Sequence, residues 1–232
     1  LLLKDILNSM DQNFTPIVNE PTKHYLQVMY TQIDRDADQA PIFTTHAFNV
    51  NPKKYFYPAS TVKLPAAVLS LDKLRRYESL GITKDTKLTI GSSQDWMSSV
   101  KGDSTHELGY ATVAQYIKKI FVVSDNDAYN RLYEFLGQKR FNQRMWDLGY
   151  LETRIRHRLS IRLSPDQNKY SNAFSFYSKG TKLLDQPMQY SSLDLDVNTK
   201  SNLIGKSYIC LLYTSESADD KQGEDLGGVG VS

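Results

Sequence analysis

Phe56-Tyr57-Pro58-Ala59-Ser60-Thr61-Val62-Lys63-Leu64-Pro65 sets a hydroxyl and an amine three residues apart at the head of a helically patterned segment. Residues three apart share one face of a helix, so Ser60 Oγ and Lys63 Nζ come within hydrogen-bond reach. Ala67, Leu71 and Leu74 continue that face as an apolar stripe, which turns the pair inward. A serine is a weak nucleophile until a base stands beside it, and burial that disfavours the ammonium form makes lysine such a base. The helix N-terminus adds backbone N–H groups suited to a developing oxyanion. Pro65 removes the hydrogen bond to the Thr61 carbonyl and predicts a local distortion near Ser60. An S-x-x-K tetrad by itself equally describes a capped surface helix, with Ser60 as N-cap and Lys63 solvated.

The surrounding chain narrows the choice. It has 232 residues, 40% hydrophobic and 23% charged, the composition of one globular domain or two closely packed lobes. It has no run of about 18 apolar residues, hence no membrane span. Residues 211–232 carry a net charge of −4 and the remainder +6, with no dense basic run, so composition points away from nucleic acid. Cys210 is the single cysteine, which excludes an internal disulfide and a multi-cysteine metal site. His24, His46, His106 and His157 lack metal-ligand spacing, so no metal is expected.

Leu2, Leu3, Ile6, Leu7 and Met10 give the first helix an apolar face, and residues 16–21 read as a loop. Alternation from Leu26 to about Ile33 and from Phe43 to Val50 predicts an antiparallel hairpin. Residues 81–109 read as loops with short elements. Thr112 and Gln115 form a capping box for a helix that stops at Val123. A helix from there ends at Gly137, and another spans Phe141 to Leu148. Arg154, Arg156, Arg158 and Arg162 mark a solvated charged segment, the alternative being contact with a substrate carboxylate, and a small hairpin follows, turning at Lys179-Gly180. Gly205-Lys206-Ser207 is no phosphate-binding loop, because the glycine that motif needs is Lys200.

Ser124-Asp125-Asn126, 64 residues after Ser60, lies in the break between two helices, where a hydroxyl and an amide project into a cleft. With Ser60 and Lys63 it resembles the S-x-x-K and S-D-N pair of class A β-lactamases and penicillin-binding proteins. Tyr57 to Leu64 looks like the family's nucleophile helix, and Thr112-Val113-Ala114 with Ser124 to Leu132 looks like its S-D-N segment. The resemblance covers roughly residues 24–170.

It implies a β-lactamase/transpeptidase-like α/β fold, with an antiparallel sheet lobe and an all-helical lobe flanking the active site. It implies a serine hydrolase acting on β-lactams or related amides through an acyl-serine intermediate, without a cofactor and without nucleic acid. Ser60 would attack, Lys63 would accept or relay the proton, Ser124 would carry it to the leaving amine, and Asn126 would bind the substrate amide. The partners implied are a small-molecule β-lactam or a peptidoglycan-type peptide, in a periplasmic or secreted setting. The alternatives are a D-alanyl-D-alanine peptidase-like penicillin-binding protein and a non-catalytic binding homologue.

Two departures accompany the resemblance. The family's Lys-Thr/Ser-Gly strand is absent, since Lys179-Gly180-Thr181 has the wrong order, and the C-terminal strands are expected to be truncated. Ser164 stands where class A enzymes carry the glutamate that activates the deacylating water, with Asp166 offset by two positions, so the acyl-enzyme is expected to hydrolyse slowly. Residues 1–209 are read as one β-lactamase-like domain, incomplete at both ends. Residues 210–232, opening with Cys-Leu-Leu-Tyr-Thr-Ser, read as a sequencing-adaptor translation or a disordered tail.

Overall fold

The computed structural model describes residues 2–10, 12–51, 54 and 56–195, with the backbone of 202–203 and 209–210. Gly205-Lys206-Ser207 and all but the first residue of the 210–232 tail lie outside the described residues. The chain forms two compact units, divided between Tyr57 and Pro58.

The first unit holds helices α1 (Leu2–Asn8) and α2 (Thr15–Asn19) and an antiparallel hairpin of β1 (Val28–Arg35) and β2 (Pro41–Phe48). The stretch read as a loop from Pro16 is instead partly helical. Pro16 sits in the first turn of α2, where a missing N–H breaks no helical bond. The hairpin follows the alternating pattern, closed by Asp36, whose Oδ1 accepts from the Asp38 and Ala40 N–H groups. Thr31 and Thr45 pair their hydroxyls across it at 2.9 Å. Neither face of the hairpin holds a buried residue, and of the apolar face of the first helix only Leu3 is buried.

The second unit is built around α5 (Asn126–Leu136), in which every residue from Ala128 to Leu136 is buried. Helices α3 (Lys63–Arg75), α4 (Val113–Val123) and α6 (Gln138–Asp147) pack about it. On another side lies a three-stranded antiparallel sheet in the order β3 (Lys87–Ile90), β5 (Phe174–Ser178), β6 (Thr181–Gln186). Leu88, Ile90, Phe174 and Phe176 alternate inward from that sheet, and Phe135 of α5 meets Phe174 and Phe176 at ring distances of 5.5 and 5.7 Å. Strand β3 is one of the short elements expected between residues 81 and 109. Two-stranded pairs β4 (Tyr170–Ser171) with β7 (Gln189–Tyr190), and β8 (Asn202–Leu203) with β9 (Ile209–Cys210), complete the described strands.

The architecture is therefore mixed α/β with antiparallel strands, as expected. Among the described residues the strands form several small antiparallel sheets. Lys179-Gly180 turns the β5–β6 hairpin with both residues left-handed, φ +48 and +83.

The four arginines read as solvated do not behave alike. Arg158 is buried, its Nε 2.9 Å from Glu134 Oε1 and its Nη2 2.6 Å from the Tyr170 carbonyl. The irregular segment from Leu151 to Lys169 is held down by amide side chains that bond its backbone at two points. Asn142 bonds both the N–H and the carbonyl of Ile155, at 2.7 and 2.8 Å. Asn130 does the same for Leu159, at 2.7 and 2.8 Å. Asn168 accepts from the Arg158 N–H at 2.9 Å and donates to the Ser164 carbonyl at 3.1 Å. Such side chains replace the ladder partners that a buried irregular backbone lacks.

Candidate active site

Ser60 does not lie in the α-helix proper. Ala59–Val62 forms a 3-10 turn, and α3 begins at Lys63, whose N–H bonds the Ser60 carbonyl. The expected distortion before Pro65 takes this form. Tightening to three residues per turn eclipses positions i and i+3, so Lys63 comes to stand directly over Ser60. Nζ lies 2.9 Å from Ser60 Oγ. Ala59, just before the serine, is left-handed at φ +46, an unfavourable conformation for a residue with a Cβ. The Thr61 hydroxyl closes the turn on the Pro58 carbonyl at 2.6 Å.

The inward stripe is formed by Ala66, Ala67, Leu69, Ser70, Lys73 and Leu74, while Leu71 is 39% exposed. A 3-10 start rotates the following helix away from the phase of an ideal α-helix counted from Ser60. Lys63 itself is 3% exposed.

The second motif comes from the join of two helices. Thr112 caps α4 by accepting from the Gln115 N–H at 2.9 Å, while the Gln115 side chain reaches Thr105 Oγ1 at 2.8 Å instead of completing the box. Helix α4 ends on Ser124 in the left-handed conformation, φ +53 and ψ +38, and Asp125 caps α5 by accepting from the Ala128 N–H at 2.8 Å. Asp125 is thus a capping residue, as its position in the break suggests. Lys119 braces the corner, 3.6 Å from Asp125 and 3.4 Å from Asp103. Burial alone pushes the Asp103 carboxyl up, but the bonds from Thr105 and the charge of Lys119 leave it below the usual range.

The left-handed turn points both the carbonyl and the hydroxyl of Ser124 at Lys63. Nζ is 2.5 Å from Ser124 O and 2.9 Å from Ser124 Oγ, and Ser124 Oγ is 3.0 Å from Ser60 Oγ. Three of the four sequence-predicted residues therefore form a closed hydroxyl–amine–hydroxyl triangle. Asn126 stands beside it on the first turn of α5, with Nδ2 donating to Ser160 Oγ at 2.6 Å. Ser160, left-handed at φ +53, belongs to the amide-clamped segment and has no motif of its own in the sequence.

Ser164 and Asp166 are engaged elsewhere. Ser164 Oγ accepts from the Gln167 N–H at 3.1 Å while Gln167 Oε1 accepts from the Ser164 N–H at 2.7 Å, a reciprocal cap on the 3-10 turn Gln167–Lys169. Asp166 Oδ1 accepts from the Tyr190 hydroxyl at 3.2 Å.

The geometry sets a buried lysine between two serine hydroxyls at a junction of helix ends. The model of the beta-lactamase enzyme family matches residues 12–190, most of the chain. The chain belongs to that family, the β-lactamase-like serine hydrolases, whose substrates are small molecules. Comparison with curated proteins and with solved structures gave no significant match. No helix among the described residues is long and apolar enough to cross a membrane.

Proposed function

We propose that the protein is a serine acyl-transfer enzyme of class A type, acting on β-lactams or related amides through an acyl-Ser60 intermediate. The observation that carries this reading is the Ser60–Lys63–Ser124 triangle, with its three edges of 2.9, 2.9 and 3.0 Å. As Ser60 Oγ bonds to the acyl carbon, its proton passes to the neutral amine of Lys63. As the C–N bond breaks, the Ser124 hydroxyl donates its proton to the leaving nitrogen and is reprotonated from Lys63. Nζ touches both oxygens, so the proton travels through one atom without rearrangement of side chains. Asn126 aligns the substrate amide from the adjoining turn. The setting proposed is periplasmic or secreted.

The capping role of Ser164 and the bond between Asp166 and Tyr190 favour slow release. The hydroxyl at the expected glutamate position is committed to a backbone N–H, so an acyl-enzyme forms and persists. That is the behaviour of a D-alanyl-D-alanine peptidase-like penicillin-binding protein.

Incubation with a fluorescent penicillin, followed by intact mass over time, tests both statements. The expected result is a persistent single adduct on the wild type and none on Ser60→Ala. Equal labelling of Ser60→Ala would remove Ser60 as the nucleophile. Rapid turnover without a lasting adduct would overturn slow release, and no adduct on wild type or variant would favour a non-catalytic binding homologue.

A further inference from the structure

Helix α6 opens against the electrostatic preference of helices. Its first turn, Gln138-Lys139-Arg140, carries two cations and no acid, and its N-cap, Gly137, provides no side-chain cap. The positive end of a helix dipole favours anions there. Arg144 stands one turn further along the same face of α6, and Arg76 and Lys169 line the same groove.

Five cations thus meet one lining carboxylate, Asp147. Asp147 is taken up by Arg144, 3.5 Å from its Nη1, and the nearby Asp72 lies 3.3 Å from the Nε of the same arginine. Arg140 Nε and Nη2 are buried and have no hydrogen-bond partner among the described residues. The Gln189 amide nitrogen, also buried and without a partner, lies at the same place. Gly137 makes that approach possible, since a Cβ there would stand 2.7 Å from Gln189 Oε1. Buried donors are paired in the great majority of cases, and the donors left over here surround uncompensated positive charge.

Burial, then the charge of Arg76, lowers the affinity of Arg140 for its proton. Burial, then Arg140 and Arg76, brings the nearby Lys73 amine down to about 7.

We propose that this groove is an anion site that takes a small phosphate-type dianion, held by the guanidinium groups of Arg76, Arg140 and Arg144. A dianion answers two of the unneutralised charges at once, and its tetrahedral oxygens suit several planar guanidinium forks. The site is separate from the serine triangle. It lies at the opposite end of the 11-residue helix α5 from Ser124, roughly 16 Å along the helix axis. Both sites can be occupied together.

The test is calorimetric titration of the full chain with inorganic phosphate at constant ionic strength, on wild type, Arg76→Gln, Arg140→Gln and Ser60→Ala. The wild type and Ser60→Ala are expected to bind one phosphate equally, and each arginine variant at least tenfold more weakly. Phosphate should raise the melting temperature of the wild type and, at the same concentration, raise that of either arginine variant less. Without phosphate, both arginine variants should melt at or above the wild type, because each removes repulsion, and Arg76 is exposed, so its variant keeps the fold. Absence of saturable binding up to about 20 mM, unchanged affinity in both arginine variants, or loss of binding in Ser60→Ala would overturn the proposal.

Discussion

The burial of Lys73 is expected to make the stability of this protein rise with pH above neutrality. Its side chain is buried between α5 and β6, where Nζ bonds the Phe135 carbonyl and lies 2.5 Å from Gln186 Oε1. It also sits over the Phe135 ring at 4.3 Å. Burial, reinforced by Arg140 and Arg76, lowers its proton affinity from 10.5 to about 7. Between those two values the unfolded chain holds a proton that the folded chain has released, so unfolding takes up a proton and becomes harder as pH rises. The stabilisation is fully present above the unfolded value and is lost as pH falls through the folded one. At roughly 1.4 kcal/mol per unit, the whole shift corresponds to about 5 kcal/mol, of which about 2 kcal/mol is gained between about pH 7 and pH 9. Lys73→Met keeps the length of the side chain and removes the titration. Urea unfolding of both proteins at the two pH values isolates the effect from every other titrating group. The difference in stability, wild type minus Lys73→Met, should increase by about 2 kcal/mol on going to the higher pH. A difference that stays constant or decreases would refute the buried, charge-repelled amine.

Three further perturbations bear on the frame and the site. Glu134→Ala leaves Arg158 buried without its 2.9 Å carboxylate partner and should cost about 3–5 kcal/mol in urea unfolding. Asn142→Ala removes both holds on Ile155 and should cost about 2 kcal/mol or more, with faster proteolysis in residues 151–169. Ser164→Ala removes a cap and should cost about 1 kcal/mol while leaving the lifetime of a penicillin adduct unchanged. A shortened or lengthened lifetime would place Ser164 in the deacylation step.

The residues of the proposed site were legible because each sits in a local pattern. Ser60 and Lys63 are three residues apart, and Ser124 occupies a helix break announced by four consecutive backbone-competing side chains. The ends of α4 and α5 follow from Thr112, Asp125 and Gly137, all local signals. The fate of the charged residues was not legible. Arg158 reads like its neighbours Arg154 and Arg156, and only the packing of α5 brings Glu134 against it. Lys73 reads as an ordinary helical lysine, and its burial is decided by Phe135 and Gln186, 62 and 113 residues away in the chain. Ser160 meets Asn126 only because Asn130 and Asn142 pin the segment that carries it.

The sequence by itself determined the side chains of the proposed site and the helical joints that present them, since capping and i, i+3 proximity depend on a few adjacent residues. Tertiary structure alone decided that the left-handed Ser124 delivers two oxygens to the Lys63 amine that stands over Ser60. That outcome depends on burial and on the meeting of elements far apart in the chain, and a periodic pattern carries information about neither.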